Sequence, residues 1–299
     1  MSGAINLFDR AAVRRHRDRA AARIGEHDFL FREIAGRLAE RLGDVRRGFA
    51  DALDLGCHGG ALARALGDNV GRLVQTDLSP AMLRRAGGLG VAADEEFLPF
   101  ADASFDLVLS GLSLHWVNDL PGALVQIRRV LRADGLFLAA MFGAGTLIEL
   151  REALATGESA EEGGASPRLS PFADVRDAGA LLQRAGFALP VVDIDTITVT
   201  YPDAYALMRD LRGMGEANAI GERRKRFTRR ATLAAAAAAY KERFGDAEGR
   251  VPATFQVLTL TAWAPHESQQ KPLRPGSAKA RLADALGATE IPAGDKARP

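Results

Sequence analysis

Apolar positions along this chain change their period several times. Over residues 5–45 the chain reads as charged helix, with Leu30, Ile34, Leu38 and Leu42 at four-residue steps, the spacing of one buried face. Leu53 and Leu55 then alternate with polar neighbours, the two-residue period of a strand. A glycine turn at Gly56, Gly59 and Gly60 follows, and Ala61–Leu66 starts a helix. Further apolar runs at Leu73–Thr76, Leu89–Ala93, Phe105–Leu109 and Leu136–Phe142 predict four more strands. Ser79-Pro80 is a helix start, serine capping and proline in the first turn. Asp119 and Pro121 open a second such helix, with Leu124, Ile127, Val130 and Leu131 on its buried face, and Asp134-Gly135 turns it into the fifth strand. Strands separated by helices predict a Rossmann-like, doubly wound, mostly parallel α/β sheet over about residues 50–142.

Residues 143–250 are less regular. Glu158–Pro171 is polar and reads as a loop, and Asp177–Gly186 as a short helix with a glycine end. Val191–Thr200 alternates as a half-buried strand, Ala204–Leu211 and Thr232–Phe244 read as helices, and Phe255–Trp263 is the last strand. The helices predict a cap, about 144–250, over the carboxyl ends of the strands. The partition is an N-terminal helical segment (1–48), a cofactor-binding domain with its cap (49–267), and a polar Pro- and Gly-bearing tail (268–299), which is expected to be flexible.

Charge excludes more than it suggests. With 39 basic and 38 acidic residues among 299, there is no bulk electrostatic case for nucleic acid. One cysteine, Cys57, excludes a disulfide framework or a cysteine-rich metal site. No apolar run has membrane-spanning length, and the first residues carry no secretory pattern; the expectation is a cytoplasmic protein without an integral membrane segment. The arginine-rich N-terminal segment (Arg10, Arg14, Arg15, Arg17, Arg19, Arg23) reads as a solvated helix face that can also meet an acidic partner. Metal catalysis is not expected: the five histidines form no spacing motif, and His16-Arg17-Asp18 lies on a helix where residues two apart do not face each other.

The glycine turn carries the chemistry. A strand, a glycine turn and a helix N-terminus form a site for an anionic or zwitterionic group. Asp77, ending the next apolar run, has the spacing of a carboxylate that holds ribose hydroxyls. Together they predict a nucleoside cofactor, a dinucleotide or S-adenosylmethionine. The spacing Asp54-x-Gly56-x-x-Gly59-Gly60 is similar to the Asp-x-Gly-x-Gly-x-Gly motif of class I methyltransferases, with His58 in place of the middle glycine. Candidate cofactor residues are Asp54, Gly56, Cys57, His58, Gly60, Asp77, Leu78, Asp94, Glu95 and Ser110; Asp94, ending the third strand, can accept from an adenine amino group. Ser113–Asn118 should line the reactive end. Its His115 and Trp116 supply a proton carrier and a stacking wall, and Glu216, on a glycine-bearing hinge, can be presented to substrate.

Longer segments are more specific. Phe8-Asp9-Arg10, Ala93-Asp94-Glu95-Glu96-Phe97-Leu98-Pro99-Phe100, Leu112–Pro121, Gly213-Met214-Gly215-Glu216, Val251–Gln256 and His266-Glu267-Ser268-Gln269 are similar to the bacterial relatives of mitochondrial complex I assembly factor 5. The resemblance implies a class I methyltransferase fold that holds S-adenosylmethionine through Asp54, Gly56, Asp77 and Asp94. It also implies hydroxylation of an arginine in the terminal iron–sulfur subunit of respiratory complex I during assembly, in peripheral association with the inner face of the membrane. Two alternatives stand beside it: methyl transfer to a small molecule or carboxylate, and a non-catalytic assembly factor.

Overall fold

The computed structural model describes residues 6–170, 175–270 and 287–289. Met1–Pro265 form one compact unit and His266–Pro299 a second; apart from 268–270 and 287–289, the segment expected to be a flexible tail lies outside the described residues. The chain enters through α1 (Arg10–Ala20), a 3-10 turn (Ala21–Glu26) and α2 (Phe29–Gly43). Leu30, Ile34, Leu38 and Leu42 form the buried face of α2, as their spacing predicts. There follow β1 (Phe49–Leu55), α3 (Ala61–Leu66), β2 (Val70–Asp77), α4 (Pro80–Ala86), β3 (Leu89–Ala92), β4 (Phe105–Gly111), α5 (Leu120–Val130) and β5 (Leu131–Phe142). Ser79 and Asp119 cap α4 and α5 through bonds from Met82 N and Gly122 N.

The second half of the unit comprises α6 (Ile148–Glu162), α7 (Val175–Arg184), β6 (Ala188–Tyr201), α8 (Ala204–Met214), α9 (Arg230–Phe244) and β7 (Val251–Trp263). The expected loop from Glu158 is helical as far as Glu162. The start of α6 has no side-chain cap, because Leu147 precedes it in the left-handed conformation, so the usual sequence signal is absent. Gly157 lies inside the helix because α9 approaches there; a Cβ would meet Ala236 N at 2.5 Å.

The sheet has seven strands in the order β3-β2-β1-β4-β5-β7-β6. β1 to β5 run parallel, and β7 inserts antiparallel between β5 and β6. β1 and β4 are almost wholly buried, as expected where helices cover both faces. One apolar layer joins α2, α3, α6, α8 and α9 to the sheet and the other joins α5 and α7. Strand order reverses between β1 and β4, so the ligand crevice of an open α/β sheet falls at their carboxyl ends. A third cluster, Phe8, Ala12, Val13, Trp116, Ala219 and Ile220, fastens α1 over that crevice. No helix among the described residues is long and apolar enough to cross a membrane.

Candidate functional site

Four acids lie at the ends of three adjacent strands. Asp54 is the penultimate residue of β1, Asp77 closes β2, and Asp94 and Glu95 follow β3. Asp77 accepts through Oδ1 from Ser79 N at 2.8 Å and through Oδ2 from His58 N at 3.1 Å. The same Oδ2 lies 3.2 Å from the guanidinium of Arg17. Arg17 is 0% exposed; it also donates to Ser113 Oγ at 2.9 Å and to Glu95 Oε1 at 3.4 Å. Two turns earlier on α1, Arg10 grips Asp94 at 2.7 Å, Glu95, and the Trp116 carbonyl at 3.0 Å. Burial alone would lower the Arg17 pKa and raise that of Glu95. The opposed charges outweigh it, holding Arg17 above its ordinary value and Glu95 down to about 2.

The expected solvated face is therefore wrong for two of the six arginines. Arg10 and Arg17 stand seven residues apart, two helical turns, and so share the inward face with Val13 and Ala20. That spacing is the signal a charge count overlooks. The buried cations are stable because three carboxylates wait for them.

The glycine turn is built for close approach. Gly56 (φ +76°) has no room for a Cβ, which would lie 2.1 Å from Ser113 Oγ. Gly60 (φ +78°) packs against Ala86, where a Cβ would come within 2.9 Å. His58 takes φ +48° between them, a conformation it accepts better than most residues. Its ring turns towards α2, 4.3 Å from that of Phe31, and Nε2 donates to the Leu112 carbonyl at 3.0 Å. Burial and then the Arg17 charge push it down to about 4, so it is neutral. Asp54 is buried with neither oxygen hydrogen-bonded. Burial raises it to about 7, tempered by the nearby Gln75 amide. The Cys57 thiol is pushed up by burial and by Asp54, which removes it as a nucleophile.

At the reactive end, Glu216 Oε2 accepts from Trp116 Nε1 at 2.8 Å and lies 3.0 Å from His115 Nε2. Burial would raise the Glu216 carboxyl, but His115 outweighs it and keeps it below its ordinary value. Sequence separation of about a hundred residues is thus closed into one carboxylate–imidazole pair with an indole wall, able to hold and move a proton. Two candidates lie apart from these groups. Ser110 Oγ donates to the Leu55 carbonyl at 2.7 Å, inside the sheet, and Leu78 packs on the Phe8–Trp116 cluster. No group of three or more potential metal-ligating His, Cys, Asp or Glu side chains occurs among the described residues.

A methyltransferase-domain family matches residues 53–139. The arginine-hydroxylase NDUFAF5 of Danio rerio is 48% identical over 94% of this chain and 89% of its own length. The chain belongs to the NDUFAF5 arginine-hydroxylase family. A malonyl-[acyl-carrier protein] O-methyltransferase of Halorhodospira halophila is a further relative of this NDUFAF5 family member, 40% identical over 87% of this chain and 90% of its own. Among solved structures, Haemonchus contortus phosphoethanolamine N-methyltransferase 2 in complex with S-adenosyl-L-methionine has TM-score 0.53 at 17% identity, covering 85% of this chain and 60% of that one. That likeness, with the strand order, gives the class I methyltransferase fold.

The donor set of this NDUFAF5 relative suits a nucleoside, with carboxylates at three adjacent strand ends and an unpartnered buried acid beside the glycine turn. The space does not. The turn leaves a cavity of about 10 Å³ between Asp54, Gly56, Cys57, His58 and Phe31, room for about one water, and Asp77 and Glu95 are already closed by Arg17. In this arrangement the guanidinium of Arg17 occupies the acids that the strand ends offer to a nucleoside.

Proposed function

We propose that this protein is an S-adenosylmethionine-binding arginine hydroxylase of methyltransferase fold. It adds one oxygen to an arginine of the iron–sulfur subunit of respiratory complex I during assembly. Its place is the cytoplasm, at the inner face of the membrane. The observation that carries the reading is the near full-length similarity to an arginine-hydroxylase NDUFAF5. The geometry supports it in kind, because the acids of the crevice hold an arginine side chain that is fully desolvated. In this reading His115, Trp116 and Glu216 shape the reactive end, with Glu216 keeping the imidazole oriented. Asp54, Asp77, Asp94 and the glycine turn hold the cofactor once Arg10 and Arg17 have left them.

The test is mass spectrometry of the iron–sulfur subunit from matched strains with and without the gene. A single arginine heavier by one oxygen only where the gene is present supports the proposal; an unmodified arginine in both strains refutes it. Methyl transfer to a carboxylate is the second reading, favoured by the 40% identity to a malonyl-[acyl-carrier protein] O-methyltransferase. Release of S-adenosylhomocysteine together with a methyl ester would establish it in place of the first.

A further inference from the structure

A second recess opens on the outer side of the wall that carries Arg17 and Glu216 inward. It encloses about 720 Å³ and is lined by His16, Arg19 and Arg23 from the N-terminal helices, Arg209 and Arg212 from α8, and Phe227. Its floor includes Ala20, Gly213 and Ala217. The side chains of Arg19, Arg209 and Arg212 are exposed, and none has an acidic partner among the described residues. Acids next in sequence to the lining residues are already committed. Glu26 is held by Arg23 at 2.5 Å, and Asp210 by His27 at 2.6 Å and by the Tyr201 hydroxyl at 2.8 Å. Phe227 is fully exposed, and the chain on either side of it carries Lys225, Arg226, Arg229 and Arg230, all exposed. A chain of net charge +1 thus concentrates uncompensated positive charge at one concavity.

We propose that this recess is a docking groove for an acidic polypeptide segment of a partner protein. Three features favour a polypeptide. The volume is far larger than an inorganic anion needs, and the charges are spread along two walls rather than converging on one point. An aromatic residue stands among arginines, the pair of side-chain types that most often anchors protein interfaces. A bilayer surface is flat and would meet protruding charges, whereas here the arginines line a hollow. Charge complementarity steers such an encounter and sets its salt dependence. The groove shares α1 and the end of α8 with the crevice, so its occupant would lie against the two elements that carry Arg17 and Glu216. The inference goes beyond the hydroxylase reading and stands if a different reaction is found.

The experiment is fluorescence anisotropy of the full-length protein with a fluorescein-labelled peptide of repeating Glu-Asp-Leu triplets, beside flotation with phosphatidylglycerol vesicles. The variants are the pair Arg209→Glu/Arg212→Glu and, outside the groove, Arg46→Glu, each checked for an unchanged melting temperature. Peptide binding that weakens with salt and falls at least about tenfold, about 1.4 kcal/mol, in the paired variant alone is the result expected. Peptide binding equally weakened by Arg46→Glu would show bulk charge and overturn the groove. Vesicle binding lost in the paired variant, with peptide binding absent or unchanged, would make the surface a membrane contact and overturn the proposal. Failure of wild type to bind the peptide would overturn it as well.

Discussion

Arg17→Met removes one guanidinium and keeps most of the aliphatic stem. The structure gives its consequence in two opposing readouts. Arg17 faces Asp77, Glu95 and Ser113 without solvent. Taking one partner from a buried ion pair costs about 3–5 kcal/mol, because the remaining charge stays desolvated. The lower end applies here: Glu95 retains Arg10, and Asp77 retains the amides of His58 and Ser79. About 3 kcal/mol in a domain of this size lowers the melting temperature by roughly 6–12 °C. Arg17→Lys, which restores the charge, recovers part of that. Cofactor affinity moves the other way. S-adenosylmethionine no longer has to displace the arginine, so calorimetric titration should give a Kd at least about tenfold tighter than wild type, about 1.4 kcal/mol. Its stabilising effect at matched concentration grows accordingly, as RT ln(1 + [L]/Kd). A melting temperature within about 2 °C of wild type would refute the buried pair. A variant that loses cofactor binding while remaining folded would show that Arg17 holds the cofactor instead of excluding it.

Asp54 supplies a pH test. Burial raises its carboxyl from 3.8 to about 7, so between those values the folded protein keeps a proton that the unfolded chain has lost. Its contribution therefore falls as pH rises through that window. Asp54→Asn should gain stability relative to wild type across it, by a few kcal/mol at neutral pH; a pH-independent difference in denaturant titrations would refute this. Glu95 acts in the opposite sense. Its carboxyl lies near 2 against an ordinary 4.5, so the stability it provides is complete above about 4.5 and lost as pH falls towards 2. Acid unfolding followed by circular dichroism should begin at a higher pH in Arg10→Met, and an unshifted onset would refute the assignment. Glu216→Gln retains the shape of the side chain but not the charge that orients His115. Turnover should fall roughly a hundredfold with little loss of thermal stability, and undiminished turnover would remove Glu216 from the machinery.

The sheet was legible because its signals are local. Alternation at Leu53 and Leu55, the caps at Ser79 and Asp119, and four-residue steps along α2 each report a short-range preference, and each is realised. α6 was less legible because its start has no capping side chain and because Gly157 and Gly163 resemble loop residues; one glycine is placed by contact with α9, the other ends the helix. At the crevice, the acids could be named from their positions at strand ends, and His115, Trp116 and Glu216 do meet. What occupies those acids was not legible. Arg10 and Arg17 read as surface charges because burial of a cation depends on partners some 60 to 106 residues away, which no local pattern encodes.

The place of β7 bears on how the chain is made. It is the last strand in sequence among the described residues, yet it pairs with β5 from Leu136↔Trp263 to Phe142↔Val257 and with β6 from Ala188↔Trp263 to Tyr201↔Val251. During synthesis β5 therefore emerges with a bare, buried-type edge, and β6 waits with no neighbour in the sheet until residues 251–263 arrive. Long-range closure of this kind is slow, and an unpaired apolar edge invites pairing with another chain. A chain released before residue 251 would thus be not a shortened protein but an open sheet, with rows of backbone amides and carbonyls along β5 and β6 offered to whatever strand comes next.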